Sequence, residues 1–232
     1  MTSTTTRTAT GPVPAPDVPP DGTNARRLTA LAGVALVVGA ASQLAGLASS
    51  HPETSPGRAA YLAASAAGPL RTQVSAFLLH YAAVGMGLGL LVAPVLVRGR
   101  RGSVLTLVGT LVASLCLVNL SGAIFVDWVH LQLGLDLPVG QGAALSDRMY
   151  AHPWLEATFG LAPLIAVGLV LTFVGLARAG VVGWWTVPAV VLGYAGMLLL
   201  PYSTPVLPAL GSLPMLAALV RIAWAARERL RA

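Results

Sequence analysis

The sequence predicts an all-α membrane protein, a bundle of six transmembrane helices with both termini in the cytoplasm. Of the 232 residues, 56% are hydrophobic and only 9% are charged, whereas about a quarter of the residues in a soluble domain are charged. The mean hydropathy is +0.77. A soluble fold of this size has too little polar surface to cover so many apolar side chains, so most of the chain must lie in lipid.

Long apolar runs predict the individual helices. Most of them reach roughly 20 residues, the length that a helix needs to cross the hydrocarbon layer. The last run contains Pro208 and Pro214 and is interrupted by Arg221, whose guanidinium would have to extend toward the interface. The expected spans are 28–48, 74–97, 103–126, 154–177, 181–200 and 205–226.

The segments outside these runs divide the chain further. Residues 1–25 are rich in Thr, Pro and Gly and have almost nothing to bury, which predicts a disordered cytoplasmic tail before a transmembrane domain at 26–232. Two long loops, 49–73 and 127–153, would face the outside. The first of them contains the letters G-R-A-A-Y-L-A-A-S-A-A-G, which are typical of a short Ala-rich helix.

The arginines and tryptophans indicate the orientation. With the N-terminus in the cytoplasm, eleven of the 14 basic residues, all of them Arg, face the cytoplasm, as the positive-inside rule requires. Five of the eight acidic residues then face outward. Tryptophans belong at the two interfaces, and the expected spans place them there: Trp128 and Trp154 outside, and Trp184, Trp185 and Trp224 inside.

Composition also argues against two classes of protein. A net charge of +6 and a pI of about 10.4 would favour nucleic-acid binding in a soluble protein. Here the arginines flank apolar runs, so the expected partner is the lipid bilayer and not a nucleic acid. The single cysteine, Cys116, excludes an intrachain disulfide and a site made of several thiolates.

Four polar residues inside the predicted spans define a candidate pocket. Polar side chains in a membrane are costly and usually face the bundle interior or a cavity. At 1.5 Å per residue, all four would lie roughly 7–12 Å below the outer boundary, on four different helices. They are Gln43, His80, Asn119 and Tyr194.

A second set of residues suggests a metal site above this layer. Imidazole and carboxylate groups suit zinc, copper or iron, and the candidates are His80, His130, His152 and Glu156, with Asp127 nearby. The alternative is structural: Asp127 ends the third span at water, and H-P-W-L-E at 152–156 begins the fourth, with Pro153 in its first turn and Glu156 near the positive end of the helix dipole.

Three functions are compatible with these patterns. The first is a non-catalytic accessory or interaction protein, a homo-oligomer or a partner of another membrane protein, assembling through Gly85 and Gly89 in G-M-G-L-G. The second is a metal-binding protein or metal-dependent membrane enzyme, and the third is a small-solute transporter. The Ala, Gly, Leu, Val and Arg usage resembles that of small multi-pass membrane proteins of high-GC bacteria, so the bacterial inner membrane is the expected location.

Overall fold

The computed structural model of the protein describes residues 22–231, apart from the side chain of Trp154. Residues 1–21 of the predicted tail lie outside this part, and residues 22–25 form the first turn of a helix. The described chain is helical throughout. Its helices are α1 (Gly22–Ser49), α2 (Arg58–Ala67), α3 (Pro69–Leu90), α4 (Ala93–Leu96), α5 (Ser103–Asp136), α6 (Val139–Tyr150), α7 (Pro153–Gly160), α8 (Leu164–Arg178), α9 (Thr186–Leu199) and α10 (Val206–Arg231).

Five helical segments are long and apolar enough to cross a membrane, by length and composition. They are Gly22–Ser49, Pro69–Leu96, Ser103–Asp136, Leu155–Arg178 and Val206–Arg231. The run expected to span at 181–200 contains a shorter helix, α9, of 14 residues. At 1.5 Å per residue α9 is about 21 Å long, which is less than the hydrocarbon thickness of about 30 Å.

Glycines allow the central helices to pack at backbone contact. A Cβ added to Gly168 of α8 would lie 2.5 Å from the backbone nitrogen of Ala113 in α5, and one added to Gly109 would lie 2.7 Å from the Gly168 carbonyl oxygen. Gly85 and Gly89 of α3 face α1 in the same way, near Ala35 and Ala32. The Gly-rich face expected to bind another molecule is therefore covered by the chain's own first helix.

The two ends of the bundle differ in chemistry. At one end, the Arg-rich end, Arg26 of α1 donates a hydrogen bond to the carbonyl of Leu230, 2.6 Å away, and Arg229 bonds the carbonyl of Val95. We call the other end the capped end, because α2 and α6 lie there. At this end the backbone nitrogen of Glu53 donates to the carbonyl of Tyr202 at 3.1 Å. Arg221 extends along α10 to Glu228 at 3.3 Å.

Helix α5 is longer than expected. Its 34 residues measure about 51 Å at 1.5 Å each, which is longer than the hydrocarbon thickness of about 30 Å. The helix therefore does not end at Asp127, as the structural alternative for this residue expected. Residues 127–136 stay helical because α2 and α6 cover them, and both His130 and Leu131 are buried.

Candidate functional site

Two short helices form a cap over the end of α5. We use the word cap for α2, α6 and residues 127–136 of α5. A Cβ added to Gly134 would lie 2.6 Å from the Leu62 carbonyl oxygen of α2, and Gly142 of α6 approaches the Leu133 carbonyl. Arg58 Nε lies 3.5 Å from Asp147 Oδ1 and joins α2 to α6. The short Ala-rich helix expected in the first long loop is α2.

His130 is the core residue of the cap. Its side chain is 1% exposed, and its Nε2 lies 2.8 Å from the Ser146 hydroxyl. The imidazole stacks on Tyr150 at a centroid distance of 5.8 Å and meets the Tyr61 ring edge-on at 5.4 Å. Its Nδ1 is buried and makes no hydrogen bond among the described residues. His130 therefore holds α2 and α6 against α5.

Within the cap, a short hydrogen bond joins Tyr61 to Asp127. The phenol donates a 2.6 Å hydrogen bond to Asp127 Oδ1. Burial, with the negative charge of Asp127 beside it, raises the pKa of Tyr61, so the phenol keeps its proton and remains the donor. A carboxylate acceptor makes this bond shorter and stronger than one between neutral groups.

Next to this pair lies a polar cavity of about 140 Å³, which we call the upper pocket. It reaches the surface at Glu53, which is exposed. Its walls come from the ends of α1, α3 and α5, from α2, and from the loop before α10. The lining residues are Leu47, Ser50, His51, Glu53, Tyr61, Thr72, Ser75, Leu79, Asp127 and Tyr202.

His51 is a neutral member of this wall. It is 7% exposed, and burial, together with the charge of Arg71, lowers its pKa. Its Nε2 lies 3.4 Å from the Ser65 hydroxyl. The Ser65 hydroxyl in turn bonds the Tyr61 carbonyl at 2.9 Å.

A second, mainly apolar cavity of about 230 Å³ lies deeper in the bundle, and we call it the lower cavity. It shares Leu47, Leu79 and Tyr202 with the upper pocket, so the two spaces adjoin. Gln43 and Tyr194, two of the four residues of the predicted polar layer, are among its few polar lining residues. Methionines line it as well, and their flexible thioether chains adapt to irregular shapes; they are Met86, Met197 and Met215.

The other two residues of the predicted polar layer do not line this cavity. His80 Nδ1 donates across the α3–α5 interface to the Ser121 carbonyl at 2.9 Å. Asn119 Nδ2 donates to the Thr158 carbonyl of α7 at 2.9 Å. The structure thus brings Gln43 and Tyr194 together and uses His80 and Asn119 to join helices.

Asn119 and Tyr194 form hydrogen bonds to backbone carbonyls near the break between α7 and α8. Pro163 separates the two helices, and a proline removes one backbone donor from the helical ladder. The Asn119 amide donates a hydrogen bond to the Thr158 carbonyl, and the Tyr194 hydroxyl lies 3.3 Å from the Ala162 carbonyl. These side chains add a second hydrogen bond to carbonyls that already accept a backbone N–H, from Leu161 and Ile165 respectively.

The proposed metal ligands are not brought together. His80 faces Ser121 and His130 lies inside the cap, while His152 and Glu156 are exposed at the start of α7. Over residues 22–231, no group of three or more His, Cys, Asp and Glu side chains is placed to hold a metal ion. In the described part of the chain, the hypothesis of a metal site at these four residues has no geometric support.

Several residues of the upper pocket were not predicted from the sequence. The signals were S-H-P-E at 50–53 and P-Y-S-T at 201–204, two short polar stretches that directly follow apolar runs. Nothing in the sequence pairs stretches about 150 residues apart, and their contact depends on the packing of α10 between α1 and α9.

The five long apolar helices indicate a multi-pass membrane protein. Comparisons with protein-family models, with curated proteins and with solved structures find no match to this chain. The site's own geometry must therefore carry any functional conclusion.

Proposed function

We propose that this chain is a six-span integral protein of the bacterial inner membrane, with both termini in the cytoplasm. Supporting this, α8 and α10 both end at the Arg-rich end, where Gly102 contacts Gly175 and Arg26 bonds Leu230. The loop before α10 lies at the capped end, where the Tyr202 carbonyl bonds Glu53. The chain must pass from one end to the other through α9, and a bilayer can thin locally around a short helix.

The orientation follows from charge. Arginines cluster beside the helix ends of the Arg-rich end, and cytoplasmic flanks carry such an excess. The capped end carries more acids than the rest of the chain, so it faces outward. At the Arg-rich end lie Arg26, Arg27, Arg98, Arg100, Arg101, Arg178, Arg227, Arg229 and Arg231.

Labelling of single cysteines tests this topology. We expect a membrane-impermeant maleimide to label Ser55→Cys in intact cells, in a chain whose Cys116 is replaced by Ala. Thr23→Cys and Arg231→Cys should react only after the membrane is opened. All three positions are exposed in the structure. Labelling of Arg231→Cys together with Ser55→Cys in intact cells would instead mean five spans.

Within this topology the chain acts as a non-catalytic accessory protein that binds a small molecule from the outer side. The carrying observation is the adjoining pair of cavities, a polar one at the surface and an apolar one beneath it. The upper pocket measures about 140 Å³ and the lower cavity about 230 Å³, so a ligand of either space must be small.

Small-solute transport is the second candidate, favoured by one observation. The break at Pro163 adjoins the lower cavity, which Ala162 and Ile165 line, and transporters place interrupted helices beside their substrate sites. A solute that moves through the protein would need α7 or α8 to shift at this break.

Binding and flux separate the two candidates. For an accessory protein, we expect a ligand of the cavities to raise the unfolding temperature in detergent, without protein-dependent flux of that ligand into liposomes. Ala83→Leu, which enlarges a lining side chain of the lower cavity, should weaken the stabilisation. Saturable flux that Ala83→Leu abolishes would support transport. A panel in which no compound stabilises the protein would refute binding.

A further inference from the structure

The hydroxyl protons around the upper pocket are already used. Five lining hydroxyls each donate their single proton to an acceptor of the protein. Ser50 donates to the Leu47 carbonyl, Ser75 to the Gly46 carbonyl and Thr72 to the Ser65 carbonyl. Tyr202 donates to the Met197 carbonyl, and Tyr61 donates to the carboxylate of Asp127. What these side chains still offer to a ligand is lone pairs.

The charged groups of the wall act in the same direction. Glu53 and Asp127 are the acids that line the pocket, and no Arg or Lys of the described residues lines it. Burial and the charge of Arg71 lower the pKa of His51, so its imidazole adds no positive charge to the wall. The nearby Arg71 directs its Nε to the Ser49 carbonyl at 3.0 Å. A ligand for this pocket must therefore supply positive charge and N–H donors.

Beneath the polar wall the lining changes character. Leu47 and Leu79 stand at the boundary of the two spaces, and the lower cavity is lined mainly by Leu, Ile, Ala and Met side chains. Most of its few polar groups have partners: Gln43 Nε2 lies 3.2 Å from Met197 Sδ, and the Tyr194 and Tyr202 hydroxyls bond backbone carbonyls. This space suits a hydrocarbon chain.

We propose that the two cavities bind a protonated primary amine with a short apolar chain. The ammonium group would lie between Glu53 and Asp127, with its three N–H donors on the carboxylates and the remaining lone pairs. The hydrocarbon part would pass Leu47 and Leu79 into the lower cavity. This identification rests on the proposed binding function and adds to it the chemical class of the ligand.

Alkyl probes of one length separate the parts of this argument. The full chain in a neutral maltoside detergent is titrated calorimetrically at pH 7.5 with n-hexylamine, which is protonated there because alkylammonium pKa values lie near 10. Hexyltrimethylammonium has the charge without N–H donors, and hexanoate has the opposite charge. We expect hexylamine to bind at least about tenfold more tightly than the trimethyl compound, and hexanoate not to bind.

Chain length tests the lower cavity. Each methylene transferred from water to an apolar site contributes about 0.8 kcal/mol, or up to about fourfold in affinity. n-Propylamine should therefore bind at least tenfold more weakly than n-hexylamine. Equal affinities for the two amines, or displacement of hexylamine by millimolar Na⁺, would mean that an inorganic cation or any ammonium ion suffices, and would overturn the proposal.

Two variants with one matched control test the carboxylates. Asp127→Asn should weaken hexylamine binding about ten- to a hundredfold, since it removes a charged acceptor. Asp136→Asn, on the same helix but exposed and bonded to Gln132, should leave it unchanged. Glu53→Gln, at an exposed position, provides the same test should Asp127→Asn fail to fold.

The outcomes also distinguish the proposed amine ligand from the proposed binding function on which it rests. Binding of hexanoate or hexanol that Ala83→Leu weakens would refute the amine and leave a binding protein. Unchanged hexylamine affinity in both carboxylate variants would likewise refute only the amine site. Failure of every probe to bind would refute both proposals.

Discussion

Gly109→Ala should destabilise the protein by about 3 kcal/mol, at the upper end of the usual range for overpacking. A Cβ at this position would lie 2.7 Å from the Gly168 carbonyl oxygen and would also meet the backbone nitrogen of Thr172. Both neighbours are backbone atoms, so no change of rotamer relieves the clash, and α5 and α8 must separate. We would measure reversible unfolding in mixed micelles with increasing SDS, followed by tryptophan fluorescence.

Gly122→Ala is the matched control on the same helix. No heavy atom beyond its immediate surroundings lies within 4 Å of a Cβ added there. Alanine is the better helix former by up to about 1 kcal/mol, so this variant should be as stable as the original or slightly more so. Equal stability of Gly109→Ala and Gly122→Ala would show that α5 and α8 do not pack at backbone contact.

The same interface shows what the sequence could predict. Continuous apolar runs are a strong signal for helices in lipid, because a helix satisfies its backbone groups internally. The apolar character of residues 103–126 and 154–177 therefore predicted helices there. Which glycines face which helix depends on the rotation of each helix about its axis, and an apolar run surrounded by lipid has too little amphipathic pattern to indicate that rotation.

The candidate site was predicted only in part. Gln43 and Tyr194 do share a cavity, because polar groups inside a bundle tend to face its interior. His80 was a candidate ligand-binding residue, and its Nδ1 bonds the Ser121 carbonyl at 2.9 Å. Asp127 was taken for a helix end because an acid after an apolar run usually marks water. Here Tyr61, 66 residues earlier in the chain, provides the donor that keeps it partly buried inside α5.

Tyr61→Phe should cost about 1.5–3 kcal/mol of stability, the usual range for a hydrogen bond to a charged group. The substitution keeps the ring, which contacts His51 and His130 edge-on at 4.7 and 5.4 Å, and removes only the hydroxyl. Asp127 Oδ1 then loses its donor in a partly buried position. We expect lower unfolding midpoints and faster amide hydrogen exchange in α2, because Tyr61 joins that helix to α5.

The control is Tyr81→Phe, which removes a hydroxyl from a side chain that is 54% exposed. It should change stability by less than about 0.5 kcal/mol, as surface substitutions usually do.

In the double variant Tyr61→Phe with Asp127→Asn, the carboxylate charge is absent, so loss of the Tyr61 hydroxyl should cost less stability than it does alone. Additive effects of the two substitutions would contradict direct coupling between the side chains. Hexylamine should restore part of the stability of Tyr61→Phe by mass action, because the freed carboxylate gains a donor from the ligand.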